Sequence, residues 1–97
     1  MIFMDTSAWY ALEVEDDENH ASALALMEEL RRGRYGALVT SDYVLDETIT
    51  LLRMRWGAEQ SVRFADKVLR SRSVNVVWVD RSVFEEALKL LRERPDR

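Results

Sequence analysis

Short apolar runs alternate with longer amphipathic segments along this chain. Three runs, the last of them rich in β-branched side chains, are of strand type and span residues 2–5, 37–40 and 73–79. Helical periodicity or propensity marks five segments, at residues 7–12, 21–30, 43–56 and 58–70 and after Asp80. The pattern therefore predicts the element order βααβααβα.

Strands that alternate with helices indicate an α/β fold, in which helices cover both faces of a parallel sheet. We expect a three-layer α/β/α domain of Rossmann-like type, with about three strands and five helices. The unbroken apolar run from Ile2 to Met4 predicts a first strand buried on both faces. The inward positions predicted for the last two helices are Val62, Ala65, Val68 and Leu69, then Val83, Phe84, Ala87, Leu88 and Leu91.

Composition narrows the chemistry that is available. The 97 residues suit one small domain, residues 1–97, and 47% of them are hydrophobic. Cysteine is absent and His20 is the single histidine, which excludes disulfides, thiolate sites and a two-histidine zinc site. Any metal must be held by oxygen atoms, which favours Mg²⁺ or Mn²⁺.

The charge and hydropathy patterns exclude further classes. The formal net charge of −4 does not indicate a strongly basic nucleic-acid binder. No apolar run approaches the length of a membrane span, and no basic region precedes the first apolar run as in a secretory signal. A cytoplasmic location is expected by default. Arginine clusters, such as Arg53 with Arg55, are interpreted mainly as solvated surface.

Asp5 is the first candidate for chemistry. It follows the first predicted strand, and ligands gather at the carboxyl ends of strands in open α/β sheets. With Thr6 and Ser7 beside it, the carboxylate could bind a divalent metal or cap the following helix. Asp80 follows the third strand in the same way, and there we favour the helix cap.

Glu47 is the second candidate. On a helical wheel it lies among Tyr43, Val44, Leu51 and Met54, where an acid is costly to desolvate unless it is paired or bound to a cation. A half-exposed glutamate at the edge of the stripe, or one paired with an arginine, is the alternative. Its helix follows the second strand directly, so Glu47 should emerge at the same sheet edge as Asp5. A cation between the two carboxylates would remove their repulsion.

These motifs resemble a PIN domain, and most closely the VapC-type ribonuclease toxins. The resemblance rests on a strand followed by Asp5-Thr6-Ser7 and on Asp46-Glu47-Thr48 ahead of Leu51-Leu52, and it spans essentially all 97 residues. It implies a Mg²⁺- or Mn²⁺-dependent endoribonuclease of a toxin–antitoxin pair. Asp5 and Glu47 would be catalytic and metal-binding residues, and Thr6 or Ser7 would support them. It also implies a homodimer, an RNA substrate and an antitoxin protein as partner.

The chain departs from the family pattern in one respect. PIN domains carry a third acid, and often a fourth, beyond a segment such as residues 94–97, and Asp96 falls in the connecting turn rather than at that position. We therefore expect these residues to form the N-terminal part of the domain, with part of the metal site lying beyond Arg97. The sequence does not by itself predict that the 97 residues cleave RNA alone.

Two other functions remain open from the sequence. The first is a catalytically inactive PIN-like module that binds a partner or dimerises. The second is a phosphatase or receiver-type domain with Asp5 as its acid. Position 7 is Ser where such phosphatases need a second Asp, and Lys67 and Lys89 lie within predicted helices rather than after a late strand, so this reading is weaker.

Overall fold

The computed structural model describes residues 1–93, and Asp96 lies outside the described residues. Three strands and five helices follow one another in the predicted order. Their bounds are β1 (Ile2–Phe3), α1 (Thr6–Glu13), α2 (His20–Arg31), β2 (Leu38–Ser41), α3 (Asp42–Trp56), α4 (Ala58–Arg70), β3 (Val74–Val77) and α5 (Arg81–Glu93). The strands β1 and β3 are shorter than the sequence predicted.

The strands form one parallel sheet in the order β1-β2-β3. In the register, Leu38 of β2 lies opposite Ile2 on one side and Val74 on the other. The predicted α/β class with a parallel sheet is confirmed. Because α1 follows β1 and α3 follows β2 directly, both helices begin at the carboxyl edge of the sheet.

The core lies on one face of the sheet, beneath α1, α3 and α4. Its buried hydrophobic side chains are Met4, Trp9, Val14, Leu38, Leu45, Leu52, Phe64 and Val68. The Trp9 and Phe64 rings meet edge to face, with centroids 5.7 Å apart and planes at 71°. This contact joins α1 to α4 across the core.

The opposite face of the sheet is less covered within residues 1–93. Phe3 is 56% exposed and Val77 is 45% exposed, so the prediction that the first strand is buried on both faces is wrong for Phe3. The inward stripe predicted for α5 is also wrong in the described residues. Leu88 is half-buried, whereas Phe84 and Leu91 are exposed, because few residues of the described chain pack against this helix.

The helix α4 is rotated relative to the prediction. Ser61, Phe64 and Val68 are buried, whereas Val62 and Leu69 are more than half exposed. Val68 was predicted correctly, but the stripe runs through Phe64 rather than Val62. Among the described residues, no helix is long and apolar enough to cross a membrane.

Candidate active site

Asp5 is the N-cap of α1. Its Oδ1 accepts hydrogen bonds from the Ala8 backbone N–H at 3.0 Å and from the Ser7 hydroxyl at 2.9 Å. No hydrogen bond from the described residues reaches Oδ2. One oxygen therefore holds the start of the helix, which leaves the second for a ligand. The two roles that the sequence offered for Asp5 are compatible.

The two hydroxyl residues beside Asp5 differ in their contacts. Ser7 donates to Asp5 and so fixes the orientation of the carboxylate. The Thr6 Oγ1 atom is buried and has no hydrogen-bond partner among the described residues. A buried hydroxyl without a partner is costly, and such atoms in native structures commonly meet water or an ion. Thr6 Oγ1 is therefore an oxygen donor available next to Asp5.

Glu47 is positioned by the start of α3. Ser41 caps this helix, since its Oγ accepts from the Val44 backbone N–H at 3.2 Å. Asp42 accepts from the Val79 backbone N–H at 2.9 Å, which ties the helix to the chain that leaves β3. Glu47 lies between one and two turns from the cap, and its side chain is exposed. Glu47 is therefore not desolvated among the apolar side chains, contrary to the prediction, and no arginine among residues 1–93 is ion-paired with it.

Asp5 and Glu47 line the same cleft, as the strand order predicted. The cleft has a volume of about 890 Å³. Its walls come from the start of α1, the α1–α2 loop and one face of α3. The lining residues are Asp5, Thr6, Ser7, Tyr10, Asp17, Asn19, Val44, Glu47, Leu51, Met54 and Arg55. The catalytic and metal-binding roles of Asp5 and Glu47 remain predictions.

The cleft carries three carboxylates and one guanidinium. The carboxylates belong to Asp5, Asp17 and Glu47, and the guanidinium to Arg55, which is ion-paired with Asp16 of the α1–α2 loop. Within residues 1–93, no three acidic or histidine side chains come close enough together to hold a metal ion. The described part of the chain thus supplies two candidate carboxylates and one buried hydroxyl.

Sequence reasoning missed the contribution of the α1–α2 loop. From the sequence, the acidic run at residues 15–18 is interpreted as solvated, like the arginine cluster that contains Arg55, yet Asp17 and Arg55 both line the cleft. The helical spacing was a partial signal for Arg55, because a residue eight positions after Glu47 lies about 80° from it around the helix, within one broad face. Nothing local in the sequence indicates that the loop folds back to meet it.

Asp80 repeats the cap of Asp5 away from the cleft. Its Oδ1 accepts from the Val83 backbone N–H at 3.0 Å and from the Ser82 hydroxyl at 2.9 Å, which confirms the predicted cap. The Val83 N–H, and after it the Ser82 hydroxyl, lower the pKa of the Asp80 carboxyl below its ordinary value. Asp80 is therefore a matched control for Asp5, with the same local hydrogen bonds but no place in the cleft.

Comparison with known proteins identifies the class. The PIN domain family model matches residues 2–96. The chain belongs to the PIN domain family, as the sequence predicted.

Two relatives indicate where in the family the chain stands. It is 35% identical over 97 residues to the 23S rRNA-specific endonuclease VapC20 of Mycobacterium tuberculosis, and it covers 70% of that protein. It is 25% identical over 91 residues, 94% of its length, to the VapC ribonuclease of Archaeoglobus fulgidus. The predicted resemblance to VapC-type ribonucleases is confirmed at this level.

A solved structure agrees with the sequence matches. The crystal structure of M. tuberculosis VapC20, a toxin that cleaves the sarcin–ricin loop, superposes with a TM-score of 0.74 at 34% identity. The match covers all of this chain and 71% of that one. The chain spans 57% of the length of the A. fulgidus relative.

Proposed function

We propose that this protein is a metal-dependent endoribonuclease that hydrolyses phosphodiester bonds of RNA. The observation that carries the proposal is the cleft shared by Asp5 and Glu47, in a chain whose relatives are named VapC ribonucleases. RNA is the substrate class because those relatives are ribonucleases.

The residues of the cleft suit Mg²⁺ or Mn²⁺. Their donors are carboxylate and hydroxyl oxygens, which hard divalent cations prefer. Thr6 Oγ1 is buried without a partner and Asp5 has one oxygen outside its cap, so donors are available for a cation or its water. Magnesium is commonly held by one or two carboxylates together with waters and substrate phosphates. Two carboxylates therefore suffice for a partial site in residues 1–93.

The chain's own residues divide the work. When bound, the metal ion supplies positive charge at a phosphate oxygen and lowers the pKa of a water molecule. Asp5 would bind the ion, and its fixed orientation comes from Ser7 and Ala8. Glu47, exposed in the cleft, would accept the proton of the attacking water or share in binding the ion. Thr6 and Ser7 support Asp5.

The biological setting is part of the same proposal. By similarity to the VapC proteins, the chain would act as the toxin of a toxin–antitoxin pair. It would be inhibited by a cognate antitoxin protein and would form a homodimer. The exposed apolar side chains of β3 and α5, among them Val77 and Phe84, offer surface for such contacts.

The test is RNA cleavage with and without added Mn²⁺ or Mg²⁺. Asp5→Asn and Glu47→Gln should each lower the rate by roughly 100-fold or more, because each removes charge that acts in the transition state. Asp80→Asn, at the equivalent cap outside the cleft, should cleave like the parent protein. Metal-dependent cleavage that survives both Asp5→Asn and Glu47→Gln would contradict the proposal.

A second candidate is a PIN-like module that binds or dimerises without catalysis. The exposure of Phe84 and Leu91 on α5 favours it, since a helix with an open apolar face is suited to a protein contact. Calorimetric titration with Mn²⁺ separates the candidates. An absence of binding at millimolar Mn²⁺, together with an absence of cleavage, would favour the binding module.

A further inference from the structure

Arg55 is the one positively charged residue among the described residues that line the cleft. It lies in the last turn of α3, and its side chain is 44% exposed. Its guanidinium is ion-paired with Asp16, which is 71% exposed in the loop between α1 and α2. The same loop contributes Asp17 and Asn19 to the cleft wall. The pair thus links two elements that line the cleft, α3 and the α1–α2 loop.

The position of Arg55 relative to Glu47 determines what it can reach. Both side chains belong to α3, and eight residues of α-helix separate their Cα atoms by about 12 Å along the axis. A strand of RNA that has its cleaved phosphate between Asp5 and Glu47 and follows the cleft wall formed by α3 would pass Arg55. Arg55 would then meet a phosphate other than the one that reacts.

The partner of Arg55 is itself an anion. An arginine forms bidentate hydrogen bonds with carboxylate and phosphate alike, so a phosphate can take the place of Asp16. Exposed ion pairs of this kind contribute little to stability, and the exchange therefore costs little. The other charged residues of the cleft, Asp5, Asp17 and Glu47, would repel an RNA backbone in the absence of metal.

We propose that Arg55 is a substrate-binding residue that contacts an RNA phosphate near the cleaved one, and that this phosphate displaces Asp16. The inference deepens the proposed ribonuclease function and rests on it. Asp16 competes with the RNA phosphate for the guanidinium, and its negative charge repels the RNA backbone, so its removal should strengthen binding.

The experiment measures binding of a fluorescently labelled single-stranded RNA by anisotropy, with EDTA present so that no cleavage occurs. Arg55→Gln should raise the Kd roughly tenfold, the scale of one charge-assisted hydrogen-bonded contact. It should also reduce the slope of log K against log salt by about 1. Asp16→Asn should lower the Kd. Arg63→Gln is the matched control, since Arg63 is ion-paired with Glu59 on α4 outside the cleft, and should change the Kd by less than about twofold.

Cleavage assays separate this inference from the proposed function. For a cleaving protein, Arg55→Gln should raise KM more than it lowers kcat, and Arg55→Lys should restore part of the binding. Equal Kd values for Arg55→Gln and Arg63→Gln would overturn the role of Arg55, even if Asp5→Asn abolishes cleavage. If Asp5→Asn cleaves like the parent while Arg55→Gln loses RNA binding, the catalytic assignment fails and the phosphate contact stands. The two variants Arg55→Gln and Arg63→Gln should have equal melting temperatures, which would show that a loss of RNA binding does not come from a loss of folding.

Discussion

The Trp9 indole N–H donates a buried hydrogen bond to Thr40 Oγ1 at 3.1 Å. The same hydroxyl donates to the Met4 carbonyl at 2.9 Å, one residue before Asp5. Thr40 is fully buried in β2, and its single hydroxyl satisfies one polar atom from α1 and another from the residue that follows β1. The hydrogen bond from Thr40 of β2 to Met4 therefore holds the backbone next to Asp5 in place.

Thr40→Val should destabilise the protein although it preserves the shape of the side chain. The substitution leaves the Trp9 N–H buried without an acceptor, at a cost of about 1–3 kcal/mol. Urea denaturation measures the free energy of unfolding. Thr50→Val is the control, because the Thr50 hydroxyl bonds to the Asp46 carbonyl on an exposed part of α3. Equal midpoints for the two variants would contradict the structural role of Thr40.

Two substitutions at Asp5 should separate its cap from its proposed chemistry. Asparagine retains a cap acceptor, so Asp5→Asn should unfold within about 1 kcal/mol of the parent and yet lose cleavage. Asp5→Ala should lose cleavage and should also be less stable than Asp5→Asn by roughly 0.5–2 kcal/mol, because alanine cannot cap the helix. Denaturation and RNA cleavage are measured on the same samples. Asp80→Ala removes the equivalent cap and should leave cleavage intact; a loss of activity there would show that cap loss alone explains the Asp5 variants.

Matched valines on α4 should report its orientation. Val68 is 3% exposed and Val62 is 55% exposed. Val68→Ala should cost about 2 kcal/mol through lost burial and the cavity it leaves. Val62→Ala should stay within about 0.5 kcal/mol, as exposed substitutions do. The free energies of unfolding in urea decide between this orientation and the stripe that the sequence predicted, which would make both substitutions costly.

The bounds of α3 and α4 could be predicted because their signals are local. Ser41 caps the first helix, and Gly57, with a φ of 94°, separates the two. That conformation is readily adopted by glycine, so the residue itself marks the break. The rotation of α4 was missed because the predicted stripe followed apolar side chains and left out Ser61, which is buried. Its hydroxyl donates to the Ala58 carbonyl within the helix at 2.8 Å, so its burial leaves no unpaired group.

The candidate site was predictable only in part. Asp5 and Glu47 each follow a strand closely, so the parallel topology alone brings them to one edge. Arg55 and Asp16 are 39 residues apart, and their contact depends on how the α1–α2 loop folds. A pairing of this kind has no signature in hydrophobic periodicity, and a single sequence cannot reveal it.

The Asp80 cap should make the stability of the start of α5 depend on pH. Because hydrogen bonds from Val83 and Ser82 lower the pKa of the folded carboxyl below 3.8, the cap is stabilising above that pH. The contribution is lost as the pH falls through the lowered pKa. Carboxyl-carbon NMR titration should place the Asp80 midpoint below 3.8, and Ser82→Ala should move it upward. A midpoint at or above the ordinary value would contradict the cap.

The shared carboxylate of Asp5 makes the beginning of α1 sensitive to whatever enters the cleft. A cation bound to Oδ2 also polarises the Asp5 carboxylate, whose Oδ1 accepts the Ala8 N–H. Occupancy of the cleft by a ligand and local opening of this helical turn are therefore thermodynamically linked. Hydrogen exchange at Ala8 should therefore change with ligand concentration while exchange at Val83, beside Asp80, stays constant. The first turn of the helix is in this sense an intrinsic reporter, which could follow loading of the cleft without any label.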